Sequence, residues 1–311
     1  MADVVTLGIL VADVLARPVD EWPERGLLVT VPEMTLHIGG CAANTGIGLA
    51  KMGVDTAVVG KVGNDGFGDF VINFLKKSGI DTRGVRRDPQ ASTSATMVMV
   101  HSDGERSFIH HIGANATLRP EEIDFEVISG AKLLHIAGCF LMPGFDGEPA
   151  AEVLRRAKEL GVTTSLDTAW DATGRWAEIV DPMLPHVDYF MPSVEEARMI
   201  AGREDPREVA EVLLDKGVGT VALKMGGEGA YVRNGEVEFS VPIFAVEAVD
   251  ATGAGDAFAA GFICGLVHGW DLERATRLGN AAGALCVTAM GTTSGLRSLE
   301  ETVRFMESHG A

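Results

Sequence analysis

The sequence predicts an α/β fold: a mostly parallel central sheet with helices on both faces, and a small β-sheet lid beside it. Two patterns and one proportion predict it. Short apolar runs alternate with Ala/Leu-rich helical runs along most of the chain, the pattern of a parallel sheet covered on both sides. Residues 93–112 break that alternation with two β-rich runs about a turn signal. Of 311 residues, 46% are hydrophobic and 23% charged, enough apolar material for a core and too much for disorder. Residues 1–311 therefore read as one domain, with a lid formed by the inserted segments 14–36 and 93–112.

Val4 to Leu10 is a short apolar opening strand, followed by Asp13. Arg17 to Pro32 holds Pro18, Pro23 and Pro32 and reads as loop with short exposed strands, Leu27-Leu28-Val29 among them. Gly39-Gly40 leads into a helix from Ala42 to Met52, closed by Gly53. Thr56 to Lys61 is a strand. Phe67 to Lys77 is a helix whose end combines lysines with a glycine stop, Lys76-Lys77-Ser78-Gly79. In the lid, Thr96 to His101 and Arg106 to Ile112 are joined by Ser102-Asp103-Gly104-Glu105.

After Pro120 the alternation resumes with strand Leu133–Ala137, helix Pro149–Leu160, and strands Thr163–Asp167 and Tyr189–Pro192. Helices Val194–Ala201 and Arg207–Lys216 precede strand Thr220–Lys224. Asn234-Gly235 turns a hairpin between Tyr231-Val232 and Val237–Phe239. The final stretch is helical over 255–268, 272–289 and 298–308. Ligands on such sheets lie beyond the carboxyl ends of the strands, where the motifs below fall.

The net charge of −18 argues against nucleic acid and anionic membrane as partners. The cysteines, at 41, 139, 264 and 286, form no C-x-x-C pair and sit among apolar or small residues, so neither a disulfide framework nor a zinc ribbon is expected. The N-terminus lacks the basic region of a secretory signal, and no run long enough to span a bilayer occurs. A cytoplasmic setting is the expectation. There is no G-x-x-x-x-G-K-[ST] and no H-E-x-x-H.

Two motifs carry chemistry. In Val249-Asp250-Ala251-Thr252-Gly253-Ala254-Gly255-Asp256, two glycines open a helix with a carboxylate in its first turn. Amides at a helix N-terminus cradle an anion, or the charge on a phosphoryl group in transfer, and Asp256 is placed to take a proton from an attacking hydroxyl. The plainer alternative is an acidic residue favoured by the helix dipole. In Gly39-Gly40-Cys41-Ala42-Ala43-Asn44, the glycines admit a small ligand and Asn44 suits a polyol hydroxyl, or simply caps the helix.

With both motifs in this order the chain resembles the PfkB carbohydrate kinase family, also called the ribokinase-like family. Gly39, Gly40, Asn44 and Gly53 match its N-terminal G-G-x-x-x-N…G signature. Residues 250–256 match its D-T-x-G-A-G-D type signature, and the likeness runs over essentially the whole chain. The resemblance implies a ribokinase-like fold and an ATP-dependent phosphotransferase. Asp256 matches the family's catalytic base, and Gly253, Ala254 and Gly255 its anion hole. Asp13, Gly39, Gly40 and Asn44 match sugar contacts. Lys224-Met225-Gly226-Gly227-Glu228-Gly229 resembles the family's T-x-G-x-x-G at a strand end, which makes Lys224, Gly226 and Gly229 nucleotide-side residues. Thr252 is another, and Asn280 resembles an adenine-side position. The 291–295 loop with Asp250 and Thr252 resembles a loop that holds a monovalent cation by backbone carbonyls, implying potassium at Asp250, Thr252 and Ser294. Residues 191–196 resemble the N-x-x-E segment near magnesium and phosphates, with Glu196 retained.

There are departures. Ser193 stands where the family usually has Asn, and reaches less far. Cys41 stands where ribokinases and several sugar-phosphate kinases have Lys; small residues there are common among fructokinases and nucleoside kinases. Residues 137–139 read Ala-Gly-Cys, without a glutamate that some members use.

Other residues are candidates by position. Asn115 follows Gly113-Ala114 at the exit of the lid strand and is a candidate substrate contact. His110 and His111 lie on that strand. Asp167, at a strand end, is placed toward the nucleotide, and Trp170 and Trp176 read as structural. Residues 37–46 hold no Lys or Arg, and Arg106 is the basic residue of the lid hairpin, so the expected substrate is an unphosphorylated sugar. A nucleoside is the alternative, and a non-catalytic sugar- or nucleotide-binding regulator a further one. An outer lid face carrying Val98, Val100 or their neighbours predicts a homodimer paired through the lids.

Overall fold

A computed structural model describes residues 2–103 and 105–309 of the chain. β1 (Val4–Gly8) is buried along its whole length. The chain then enters β2 (Val11–Arg17), which belongs to a second sheet, and β3 (Glu33–Gly39) returns antiparallel to it. α1 (Cys41–Lys51), β4 (Thr56–Gly63), α2 (Gly66–Lys77) and β5 (Asp81–Asp88) follow. β6 (Ala95–Val100) and β7 (Arg106–His111) complete the small sheet.

The rest of the chain is α3 (Phe125–Ile128), β8 (Leu133–Cys139), α4 (Glu148–Glu159), β9 (Thr163–Thr168), α5 (Trp176–Val180) and β10 (Tyr189–Phe190). α6 (Val194–Ala201), α7 (Pro206–Asp215), β11 (Thr220–Lys224), β12 (Ala230–Asn234) and β13 (Glu238–Val241) come next, then α8 (Ala254–Val267), α9 (Leu272–Val287) and α10 (Leu299–His309).

Local chemistry sets several of these boundaries. Asp65, Asp205 and Asp271 cap α2, α7 and α9 through backbone amides, and Ser193 with Glu196 forms a reciprocal capping box on α6. Gly202 ends α6 in the left-handed region. α8 is buried without interruption from Ala257 to Gly265, so its sequence is apolar on every face.

Among the described residues the main sheet runs β13-β12-β11-β10-β9-β8-β1-β4-β5. Its strands are parallel except for the antiparallel β12 and β13. Early strands add on one side of β1 and later ones on the other, so the strand order reverses between β1 and β8. Ligands bind at such a reversal, beyond the strand carboxyl ends. Both faces are covered: Val5 and Leu7 of β1 pack with Val153 and Leu154 of α4, while Val4 packs with α8 and α9.

The small sheet, β3-β2-β6-β7, departs from the expected lid at its edges. The opening strand stops at Gly8 and the chain changes sheets at residues 9–10. Residues 27–29 form no strand; they are exposed side chains of a loop. β5 was not legible because Asp81–Asp88 carries charges on both faces and no apolar alternation. The turn at 102–105 includes Gly104, which lies outside the described residues.

Val98 and Val100 are buried, so they do not form the outer face. Register places Asp13, His37, Thr96 and His110 on one face, and Val14, Leu36, Met97 and Ile109 on the other. Val98, paired with Leu15 and Phe108, belongs to the face of Asp13. The outer face is instead Met34, Leu36, Met97 and Ile109, exposed by 66, 40, 48 and 50%. Among the described residues no helix is long and apolar enough to cross a membrane.

Candidate active site

Gly253 caps the N-terminus of α8 with φ 81°, a conformation glycine adopts freely. A Cβ there would also stand 2.7 Å from the Thr292 carbonyl oxygen. This turn places the first amides and the positive end of α8 at the edge of a cavity, which Ala254 and Gly255 line. In the first turn, Asp256 Oδ2 accepts a hydrogen bond from Asn44 Nδ2 at 2.8 Å. Asn44 Oδ1 accepts in turn from Thr292 Oγ1 at 2.9 Å. Burial raises the Asp256 pKa; bonds from Asn44 and Cys41 and the charge of Lys224 oppose it without cancelling it.

Lys224, the last residue of β11, brings its ammonium within 3.2 Å of where a Cβ on Gly255 would lie. Its Nζ donates to both oxygens of Asp167, at 2.7 and 2.6 Å. Burial alone would lower the Lys224 pKa, but Asp167, Glu196 and Asp256 together raise it, so the lysine stays charged. Burial pushes the Asp167 carboxyl up against the pull of that ammonium. The result is a fixed positive charge beside the glycine turn.

The cavity measures about 480 Å³, within the range of ligand pockets. Ile243, Phe244, Val246, Ala284 and Val287 make it apolar; Gly226, Gly229 and Asn280 lie on its wall, and Lys224 at its edge. On the other side of Asp256 stands the inner face of the small sheet. A Cβ on Gly39 would sit 2.1 Å from Asp13 Oδ2, so the glycine is what leaves room for that carboxylate. Burial raises the Asp13 pKa, against a hydrogen bond from Thr96 and the charge of His37.

The glycine turn that opens α8, an apolar cavity, the Asp256 carboxylate and the Asp13 carboxylate of the lid thus lie along the same end of the sheet. A family model described as pfkB family carbohydrate kinase matches residues 1–299. The chain belongs to this family. Among curated relatives of this PfkB chain, the 2-dehydro-3-deoxygluconokinase of Bacillus subtilis is 30% identical over 297 residues, covering 92% of this chain and 91% of that protein. An Arabidopsis thaliana ribokinase structure complexed with ribose and ATP is 25% identical, with TM-score 0.87, covering 98% of this chain and 99% of that one. An E. coli structure titled a putative ribokinase II in complex with ATP and magnesium is 27% identical, with TM-score 0.86, covering 99% and 100%. These relatives are sugar kinases of the PfkB family, and the lid sheet of this chain is that of a ribokinase fold.

The fold of this PfkB kinase gathers most of the expected site residues and redirects some. Gly253, Ala254, Gly255, Asp256, Lys224, Gly226, Gly229 and Asn280 converge on the cleft and cavity. Gly39, Gly40 and Asp13 meet where β3 ends. Asn44, expected at the sugar, donates one amide N–H to Asp256 and accepts from Thr292 Oγ1, so it also orients the carboxylate. Asn115, a candidate substrate contact, is engaged by the backbone. It is buried, with Oδ1 accepting from the Leu10 amide at 3.1 Å and Nδ2 donating to the Leu10 carbonyl at 3.2 Å. Ser193 is the α6 cap, and the Asn280 amide nitrogen donates to the carbonyls of Val241 and Pro242. His110 bonds Thr96 on the inner lid face, and His111 bonds Ser92. Trp176 packs edge-on against Phe140 and Trp170, as structural residues do.

Magnesium bound with nucleotide phosphates needs only one or two protein carboxylates, and Glu196, near the buried Asp167–Lys224 pair, suits that need. Its Oε2 is engaged by Thr168 Oγ1 and the Ser193 amide, which fix its direction. Potassium fits less well. Asp250 Oδ1 accepts from the Thr252 amide at 2.7 Å and from the Arg106 guanidinium, while Oδ2 accepts from the Gly291 amide at 2.9 Å. Arg106 also binds Thr252 Oγ1. The Ser294 carbonyl, in the expected cation loop, accepts from Arg297.

The sequence flagged Arg106 only as a basic lid residue and Asp167 only as a strand-end carboxylate. Their partners lie 144 and 57 residues away. If Asn115 holds the chain rather than the substrate, Asn115→Ala will lower stability by about 1–3 kcal/mol through two unsatisfied backbone groups at Leu10. Urea unfolding should show that loss while KM for the acceptor stays at the wild-type value. A raised KM without lost stability would return Asn115 to the substrate site.

Proposed function

We propose that this PfkB chain transfers the γ-phosphate of ATP to a hydroxyl of a small, unphosphorylated sugar. The observation that carries the reading is the Asp256 carboxylate, held at the first turn of α8 between the apolar cavity and the inner lid face that bears Asp13. The nucleotide occupies the cavity, with its adenine end toward Asn280. Asp13 and the backbone at Gly39 and Gly40 hold the sugar. Asp256 takes the proton of the attacking hydroxyl, and the amides at Gly253, Ala254 and Gly255, with Lys224, stabilise charge on the transferring group. Magnesium, when bound with ATP, neutralises the phosphates near Glu196. Residues 1–311 act as one kinase unit whose small sheet closes over the sugar and excludes water. The reduced cysteines suit a cytoplasmic enzyme.

Phe108 favours a nucleoside as the second reading. It is 58% exposed on the same lid face as Asp13, where a flat base could stack. A regulator without turnover has less support, since the carboxylate and its glycine turn are intact.

ADP release should be measured with free sugars, sugar phosphates and nucleosides. A free sugar should be turned over fastest, and Asp256→Asn should lower kcat by about 10²–10⁴ while melting as wild type does. A variant keeping more than about a tenth of kcat would remove Asp256 from the role of base. Faster turnover of a sugar phosphate would overturn the uncharged substrate.

A base acts deprotonated, and burial places the Asp256 pKa above its usual value of 3.8. The rate should therefore rise with pH through a range higher than that of an ordinary Asp. Lys224→Gln removes a cation that favours the carboxylate, so the rising limb of kcat/KM should move to still higher pH. An unmoved or acid-shifted limb would separate the pH dependence from Asp256.

The outer lid face supports a homodimer, because Met34, Leu36, Met97 and Ile109 leave an apolar surface on that face of the sheet. Light scattering at micromolar concentration should give twice the chain mass, and Met97→Asp should give the monomer. A wild-type monomer would overturn the pairing.

A further inference from the structure

Arg106 begins β7, the edge strand of the small sheet, yet its guanidinium ends on the loop that leads into α8. It donates to Asp250 Oδ1 and to Thr252 Oγ1. The contact is enclosed: the side chains of Arg106 and Asp250 are 17% and 2% exposed. Two backbone amides, of Thr252 and Gly291, complete the hydrogen bonding of the same carboxylate. Asp250 thus ties three segments together: the lid edge, the turn before Gly253, and the start of the 291–295 loop. An almost fully buried carboxylate needs a cation, and here the chain supplies it from the lid.

We infer that Arg106 is a positioning residue that makes lid closure and ordering of the 252–255 turn one event, and that it takes the place of a monovalent cation at Asp250. Closing the lid brings the guanidinium to Asp250 and Thr252, and the amides that follow Thr252 are then held where a phosphoryl group needs them. Opening the lid removes that charge and releases the turn. The kinase therefore works without potassium. This rests on the kinase reading for its effect on turnover, but not for its effect on the folded chain, so the two can fail separately.

The test compares wild type, Arg106→Met and Arg106→Lys in equimolar potassium chloride, sodium chloride and choline chloride. Thermal melts require no substrate; turnover uses whichever acceptor the ADP-release panel identifies. Wild type should melt at one temperature and turn over at one rate in all three salts. Arg106→Met should lose at least tenfold in kcat in choline. It should then regain rate and melting temperature in potassium, because the vacated carboxylate becomes available to a metal ion. Arg106→Lys keeps the charge without the two-pronged donor geometry and should fall between the two. It also serves if the methionine variant does not fold. A merely structural arginine would lower the melting temperature equally in every salt, with no recovery specific to potassium, and that result overturns the proposal. So does a wild-type enzyme whose melting temperature and rate rise in potassium over choline, or an Arg106→Met enzyme with wild-type kcat.

Discussion

The close packing of α1 against α8 is the constraint on which the site depends. The two helices come from opposite ends of the chain, and their N-termini meet at the carboxyl end of the sheet. A Cβ on Gly48 would lie 2.7 Å from that of Ala260, so the axes approach as closely as they do only because one residue has no side chain. At that separation Asn44 reaches Asp256, and the Thr45 hydroxyl reaches the Asp256 carbonyl at 3.4 Å. A wider crossing would break the bond that aims the carboxylate. The aim of the Asp256 carboxylate is a consequence of helix packing, and the small residues of α1 serve it as much as the polar ones do.

Charge is the second constraint. A chain of net charge −18 has to receive a polyanion, and it does so with few cations. The solution is local: one buried ammonium, at Lys224, and the positive end of α8 stand at the same turn. Lys224 stays protonated because Asp167, Glu196 and Asp256 surround it, and its charge opposes the mutual repulsion of those carboxylates. Truncating one member would leave buried charge uncompensated. Burial raises the Asp256 pKa, while the hydrogen bond from Asn44 and the charge of Lys224 oppose that rise.

The lid adds coupling between distant parts of the chain. Its inner face supplies Asp13 and His110 to the cleft, and its edge supplies Arg106 to the loop before α8. A sheet that only covered the sugar would need no such contact. One enclosed ion pair thus ties the lid edge to the loop before α8.

Much of this was legible in sequence, because the relevant signals are local. The parallel α/β architecture followed from the alternation of apolar runs, and Val194–Ala201 was placed to the residue, since its capping box and terminal glycine are adjacent in the chain. The glycine turn with Asp256 was legible for the same reason. What the sequence could not place were contacts whose strength depends on burial or whose partner lies far away. β5 lacks apolar alternation, so its pairing with β4 decides it. Asn115 and Asn44 carry a side chain suited to sugars, and the fold also engages their amides with Leu10, Asp256 and Thr292. Alternation left either Val98 and Val100 or their neighbours for the outer lid face, and the register of β6 decides for Met97 by turning the valines inward. The partners of Lys224 and Arg106 were hidden likewise, because an ion pair across the fold leaves no periodicity to read. Sequence determined which chemical groups were present and the local turns that present them; tertiary packing decided which of those groups remained free to act, because a hydrogen-bonding group serves a ligand only where the fold leaves it unpaired.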